Sequence, residues 1–315
     1  MPFDFEAAVT APFRMQPGLR RIAAGTPQLV PLAPGSRHQR EKLAVLTAFW
    51  PEALCAAEGF DPAPALDALC RHAAAEHPQA WAWDGRRAVA RTLGTAVADG
   101  DVELLTTGSF GLGDEVARCL RGLPPAWRLA GLLSLAFAED FAFVDAASGT
   151  IPWLAVALPS HWAPASKVGR HFAEVHGPVA DNAQLLQATA GLLRLMSGQA
   201  AGGSADRFER FVWTITDHPR LHAHPARTDA ERWRGGLAGG AWFRSERQTF
   251  LPLPALQQAV FTIHIGVQPL AEIVARPGRA AQLHAAIASM SPQVLAYRGL
   301  TPVRDELLAM LAARP

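Results

Sequence analysis

Two stretches near the C-terminal end decide the fold: Ala241–Leu251 reads AWFRSERQTFL, and Ala259–Val267 reads AVFTIHIGV. The second is rich in β-branched residues, which favour a pleated strand. The first shows partial alternation of apolar and polar residues, as a half-buried strand does. Both stretches therefore predict β-strands.

Three further strand candidates precede them. Phe141–Val144 and Ile151–Leu158 flank the turn-like sequence 145–149, a pattern typical of a hairpin with a longer loop. Phe211–Thr216 (FVWTIT) is the third, and the apolar stripe of Asn182–Met196 predicts a helix between them. Two strands, a helix and three strands are compatible with a small antiparallel sheet that carries helices on one face. The pattern itself supports only the class, α+β.

Helical segments are predicted on both sides of this region, because apolar residues recur there at helical spacing. They are Arg37–Trp50, Ala63–Ala74, Arg86–Ala98, Asp114–Leu120, Arg279–Met290 and Pro302–Ala313. We therefore divide the chain into a mainly helical N-terminal region (1–125), a central sheet (126–268) and C-terminal helices (269–315). One compact unit is the alternative.

Composition excludes several classes of protein. The net charge of +1 lacks the basic surplus of a nucleic-acid-binding protein. No apolar run approaches the roughly 20 residues that span a bilayer, so no membrane association is expected. Three distant cysteines, with no secretory pattern at residues 1–12, predict free thiols and a cytoplasmic location. They are Cys55, Cys70 and Cys119.

The chain has none of the GxGxxG, GxxxxGK[ST], GxSxG or HExxH motifs, so attention falls on its eleven histidines. His176 precedes Gly177-Pro178, at the end of a short helical stretch. Such a histidine can present one ring nitrogen to a cofactor, or it can interact with the helix dipole. The spacing alone favours the dipole interpretation.

Two other groups of histidines have alternative interpretations. His222 and His224 form an HxH pair that could bind a metal, but the proline-punctuated sequence around them favours a surface loop. His264 shares a strand face with Thr262 and Gly266. It points at a ligand if that face lines a cavity, and is otherwise an ordinary half-buried histidine.

The strand FRSERQTF at 243–250 is unusually polar, and charged residues in a central strand are costly unless they are paired or functional. Alternation places Arg244, Glu246 and Gln248 on one face, with residues 245, 247 and 249 on the other. The strand is then either a solvated edge with an Arg–Glu pair, or a polar wall that orients a substrate or cofactor.

Six segments, in order along nearly the whole chain, resemble the haem-dependent oxidative N-demethylase family, which includes the haem-binding subunit of dimethylamine monooxygenase. Its histidine motif has the form PS-x-W-x-P-x-x-K-x-G, followed by [IV]-H-x-PV. The matching segments are PFRMQPGL (12–19), FAEDFAFVD (137–145), LPSHWAPASKVGRHFAEVHGPV (158–179), FRSERQTFLPLP (243–254), FTIHIGVQPL (261–270) and LAYRGL (295–300).

The resemblance implies haem b in a PAS-like domain, with an antiparallel sheet of about five strands. It implies monooxygenation: O2 is activated at the iron, and an N-methyl group of a small amine is released as formaldehyde. Electrons would come from NADPH through a flavin and iron–sulfur reductase, which would be a partner. His176 occupies the family's histidine position, so the resemblance makes it the ligand of the iron.

Charge and position suggest further roles within this resemblance. Lys167 and Arg247 could meet haem propionates, and Glu246 could face a cationic amine. Trp162 and Arg244 are expected at the cofactor, and His264 among the catalytic residues with Glu246 and Arg247.

The chain departs from the family pattern at two places. His161 stands where small residues are usual, and Ile265-Gly266 replaces a Thr-Tyr pair. If the missing tyrosine shapes the distal pocket, the substrate differs or oxygenase activity is lost. A non-catalytic haem-binding or sensor protein, or a haem oxygenase with another substrate, is therefore the alternative function.

Overall fold

The computed structural model describes residues 3–199 and 206–314. Its strands are β1 (Arg20–Arg21), β2 (Leu54–Ala56), β3 (Trp81–Trp83), β4 (Arg87–Ala90), β5 (Thr95–Ala98), β6 (Asp101–Leu104), β7 (Asp140–Asp145), β8 (Thr150–Ala155), β9 (Phe208–Thr216), β10 (Trp242–Leu253) and β11 (Gln258–Pro269). Within these residues, seven strands form one sheet in the order β1-β9-β10-β11-β7-β8-β2, and β3 to β6 form a second sheet. The protein is therefore α+β, as predicted.

The larger sheet is antiparallel and is organised around the long pairing of β10 with β11. These strands pair over twelve positions, from Trp242 opposite Pro269 to Leu253 opposite Gln258. The chain reverses at Gln257, which has a positive φ of 53°. All five strands predicted from the sequence are present, and they lie side by side as β9-β10-β11-β7-β8. The short strands β1 and β2 are the two edge strands of the sheet.

The helices are α1 (Phe5–Ala8), α2 (Arg37–Ala48), α3 (Trp50–Ala53), α4 (Ala63–Glu76), α5 (Glu115–Gly122), α6 (Arg128–Ala136), α7 (Phe172–His176), α8 (Ala183–Gln187), α9 (Thr189–Met196), α10 (Leu270–Val274), α11 (Arg279–Ala288), α12 (Pro292–Tyr297) and α13 (Arg304–Ala312). The helix predicted at Asn182–Met196 is two short helices, α8 and α9. The glycine-rich sequence 198–204 that follows is typical of a flexible loop, and residues 200–204 of it lie outside the described residues.

One helix prediction is wrong. The stretch Arg86–Ala98 forms β4, a single 3-10 turn and β5, which belong to the second sheet. Its alanines suggested a helix, but Ala88 and Ala90 are buried with period two, as in a strand. Gly94 and Gly100 have positive φ values of 56° and 86°, which permit the turns between the strands. The N-terminal region is therefore mixed α and β.

The main hydrophobic core runs across the predicted boundary at residue 125. It joins Leu46 and Leu69, from the N-terminal helices, to Phe141, Phe143 and Trp153 of the sheet. A separate cluster packs the C-terminal helices against the β9 end of the sheet. The division into three regions stays a prediction, and the shared core favours the interpretation as one compact unit.

Arg244 of β10 ties the sheet to two loop segments. Its Nε donates to Ser160 Oγ (2.7 Å) and its Nη1 to the carbonyl oxygen of Arg220 (3.0 Å). Its Nη2 lies 2.8–3.2 Å from the carbonyl oxygens of residues 158, 159 and 221. The side chain is only 1% exposed. Such a charge is tolerated in the interior because every nitrogen of the planar guanidinium has an acceptor.

We expect Arg244→Lys to lower the free energy of unfolding by about 3 kcal/mol. Lysine keeps the charge but cannot reach all these acceptors, and each buried acceptor left without a partner costs about 1–3 kcal/mol. Urea denaturation measures the loss. The control is Arg86→Lys, at an exposed ion pair with Asp99, where a change within about 0.5 kcal/mol is expected. Equal effects of the two substitutions would contradict the role assigned to Arg244.

Candidate functional site

The strand register sorts the polar residues of the sheet onto two faces. Arg210 on β9 pairs with Gln248 on β10, which pairs with Ile263 on β11, so these three side chains lie on one face. Glu246, two residues from Gln248, lies on the same face. We call it the α7 face, because α7 covers it.

Apolar contacts hold α7 over this face. Phe172, at the start of the helix, belongs to the cluster that contains Phe250 of β10. Val175 packs against the buried cluster of Ala142 and Ile151, the same cluster against which Phe261 of β11 and Trp162 pack. His176, at the end of α7, is therefore held above the sheet by its own neighbours along the helix.

The ring of His176 is fixed in one orientation. Its Nδ1 lies 2.7 Å from the carbonyl oxygen of Phe172, and its ring packs against the Phe172 ring at 4.1 Å between centroids. Because a carbonyl oxygen can only accept, Nδ1 carries the proton and Nε2 carries the lone pair. Burial lowers the pKa of His176 to about 4, so the imidazole is neutral near pH 7. A neutral imidazole whose second nitrogen is anchored to a carbonyl is what a metal-binding histidine requires.

Two cations lie near His176, and both contribute to lowering its pKa. Lys167 donates from Nζ to the carbonyl oxygen of Val175 (3.2 Å), and burial lowers its pKa. Arg210 is partly buried, and its Nε is shielded from solvent without a hydrogen-bond partner in the described part of the chain. Burial lowers the pKa of Arg210 as well, an effect that the nearby Glu246 carboxylate partly offsets. Arg210 is not among the residues predicted for the site, because the predicted strand begins one residue later, at Phe211. In the structure it is a charged residue inside the strand Phe208–Thr216, comparable to the charges at 244–247.

Glu246 is oriented by two neighbours on the α7 face. Its Oε1 accepts from Ser160 Oγ, and its Oε2 accepts from Gln248 Nε2 at 2.7 Å. Glu246 and Arg210 are diagonal neighbours on adjacent strands, and no direct ion pair joins them in the described residues. The carboxylate is thus positioned, and it retains capacity for a further donor.

The structure separates the remaining predicted residues from this group. Trp162 is half-buried and packs against the same buried cluster as Val175. Arg244 lies on the same face, but its nitrogens are engaged by the loop segments described above. Arg247 and His264 pair with each other on the opposite face.

That opposite face is covered by other parts of the chain. Arg247 is 4% exposed and donates from Nε to Glu209 Oε2 (2.7 Å) and from Nη1 to the Gln28 carbonyl oxygen (3.2 Å). His264 Nδ1 lies 3.3 Å from Glu139 Oε1, and its ring is 5.5 Å from that of His38. The structure therefore does not bring Arg247 or His264 together with His176.

Backbone geometry bears on the two departures from the family pattern. His161 has a positive φ of 61°, a conformation that is uncommon outside glycine but that histidine adopts more readily than most residues. Gly266 pairs with Ser245 on the face opposite α7, where an added Cβ would lie 2.7 Å from Ser245 Oγ. The tyrosine missing at 266 would therefore not project toward His176.

The HxH pair lies in a loop, as the sequence predicts, but the loop is not fully exposed: His222 is half-buried and His224 is buried near Glu52. His222 lines a cavity of about 290 Å³ that Phe49 and Arg220 also line, away from His176. Among the residues that the structure describes, no group of three or more His, Cys, Asp or Glu side chains is arranged to hold a metal ion.

The protein is of the α+β class, and its candidate site is a neutral histidine above one face of an antiparallel sheet. Both charged and apolar side chains line that face. Residues 112–308, more than half of the chain, match the family of haem-dependent oxidative N-demethylases, alpha subunit-like. The chain belongs to this family, which confirms the resemblance found in its motifs. No helix in the described residues is long and apolar enough to cross a membrane.

The depressed pKa of His176 predicts an acid-dependent loss of stability. The unfolded histidine titrates near 6.5 and the folded one near 4, so between these values the unfolded state binds more protons and stability falls as the pH falls. His176→Gln removes this titration. We expect the free energy of unfolding of wild type to drop more steeply than that of the variant between pH 6.5 and 4, as measured by urea denaturation. Parallel pH profiles would show that His176 titrates normally.

Proposed function

We propose that this chain binds haem b, with His176 Nε2 as the ligand of the iron. One observation carries the proposal: the Nδ1 bond to Phe172 leaves a neutral Nε2 lone pair on the covered face of the sheet. Membership of a family described as haem-dependent supports it. The region 126–268 would then be a haem-binding unit of PAS-like type.

The surroundings of His176 suit such a group. Phe261, Val175 and Trp162 supply apolar surface for a porphyrin ring. Lys167 and Arg210 supply positive charge near the same place, and the shielded Nε of Arg210 is a donor that awaits an acceptor. A flat apolar ring with two carboxylates matches both properties.

We further propose that the chain is the haem-bearing part of a monooxygenase that removes N-methyl groups from small amines. Bound haem would supply O2 activation and the oxidation of a methyl C–H bond, with electrons from NADPH through a separate flavin and iron–sulfur reductase. Glu246, held by Ser160 and Gln248, would accept a hydrogen bond from the cationic amine. The carbinolamine formed would release formaldehyde and the demethylated amine.

Arg247 and His264 have a structural role in this proposal: they connect the sheet to the segments that cover its other face. Gly266 lies on that face too, so the loss of the family tyrosine leaves the surroundings of His176 intact. Catalysis is therefore favoured over a non-catalytic haem-binding protein. The words "alpha subunit" in the family description fit a chain that works with a separate reductase.

We expect the purified protein, loaded with haem, to show a Soret band that His176→Ala shifts and weakens. Loss of the only proposed protein ligand should reduce haem affinity by at least about 100-fold, equal to about 2.7 kcal/mol. His284→Ala, on α11 of the C-terminal helices, is the matched control and should bind haem like wild type. Added imidazole should restore the spectrum of His176→Ala. A wild-type protein that takes up no haem would overturn the proposal.

We expect formaldehyde release from dimethylamine, measured with NADPH and a flavin and iron–sulfur reductase. Glu246→Gln should raise KM about tenfold or more, because it removes a charge-assisted hydrogen bond worth about 1.5–3 kcal/mol. Haem spectra of the variant should match wild type. If haem is bound normally but no methylamine is turned over, the non-catalytic alternative gains.

A further inference from the structure

Arg210 is the least satisfied cation near His176. Arg244 has five acceptors, and Arg247 has Glu209 and backbone carbonyls. The buried Arg298 also has an Nε without a hydrogen-bond partner in the described residues, but its guanidinium lies over the rings of Phe13 and Trp213. In the part of the chain that the structure describes, Arg210 makes neither a hydrogen bond nor an ion pair, and its Nε is shielded from water. An unpaired cation in such a place is costly, and anions offset that cost best.

The charges around Arg210 favour an anionic partner. Glu246 is the carboxylate on the same face; it accepts from the neutral side chains of Ser160 and Gln248 and forms no ion pair with Arg210 in the described residues. Lys167 adds a second positive charge close to His176. One carboxylate beside two cations leaves a surplus of positive charge on the α7 face.

The position of Arg210 also fits a ligand that reaches His176. Arg210 and Glu246 sit on adjacent strands, two residues apart in register, where side chains are typically about 7–8 Å apart. A molecule held above the sheet by His176 would therefore meet the guanidinium and the carboxylate side by side. Thr214, two positions beyond Val212 on β9, adds a shielded hydroxyl without a partner in the described residues.

We propose that Arg210 binds a carboxylate group that lies on the α7 face, as its charge-assisted hydrogen-bond donor. The inference rests on the proposed function and deepens it. Two sources offer this chemistry: a propionate of the haem, or the carboxylate of a substrate that is an N-methylated amino acid. In the second case Glu246 would hold the ammonium end, and Arg210 the acid end, of one zwitterion.

The first arm of the test compares haem with haem dimethyl ester, whose propionates are uncharged. Each is titrated into wild type and Arg210→Gln, with the Soret band as the readout. If a propionate is the partner, wild type prefers haem by about tenfold or more, as expected for a hydrogen bond between charged groups, and the variant loses that preference. Arg210→Lys should retain part of it, and Arg276→Gln, an exposed control, all of it.

The second arm compares N,N-dimethylglycine with trimethylamine, which lacks the carboxylate. Binding to the haem-loaded protein is followed by the absorbance change at the Soret band. If a substrate carboxylate is the partner, wild type binds N,N-dimethylglycine about tenfold more tightly, and Arg210→Gln removes the difference while the haem affinity is unchanged.

The inference is overturned if Arg210→Gln leaves both preferences as they are in wild type, or if wild type shows neither. That outcome would leave haem ligation by His176 standing. If wild type takes up no haem, the proposed function fails, and calorimetry of N,N-dimethylglycine with the haem-free protein tests Arg210 by itself. Binding that is weakened by Arg210→Gln would then support the carboxylate site, and equal binding or none would exclude it.

Discussion

The pairing of β10 with β11 is the constraint on which the rest of the structure depends. Twelve consecutive residue pairs fix its register, and a slip by one residue would exchange the two faces of the sheet. With this register, Glu246 lies on the α7 face, whereas Arg247 lies on the opposite face, against the segment that contains Gln28. The same polar stretch thus provides a carboxylate on the α7 face and an arginine that ties the opposite face to the segment covering it.

The sheet carries several arginines whose charged groups are buried. Arg244 and Arg247 are fully enclosed, and each is matched by acceptors from segments far away in sequence. These arginines act as ties between the sheet and its covering loops, since a planar guanidinium can serve several carbonyls at once. Arg210 lacks such partners, and it is the one that lies near His176. The contrast distinguishes an arginine used for assembly from one that is available to a ligand.

The short helix α7 positions His176. α7 has only five residues, so its own backbone bonds would not keep it folded. Phe172 and Val175 anchor it to the sheet, and the Phe172 carbonyl oxygen then orients the imidazole four residues later. The packing of α7 buries the histidine, which lowers its pKa, and the bond to the Phe172 carbonyl oxygen sets its tautomer.

The α+β class, the five central strands and the family can be read from the sequence, because hydrophobic alternation and sequence motifs do not depend on long-range contacts. Alternation also places Glu246 and Arg247 on different faces of their strand. The strands within Arg86–Ala98 could not be predicted, because alanine favours a helix unless packing against neighbouring strands overrides that preference. The face that α7 covers depends on long-range packing, which the sequence pattern does not contain. Only the tertiary structure therefore separated Arg247 and His264 from His176 and added Arg210, whose importance depends on the partners it lacks.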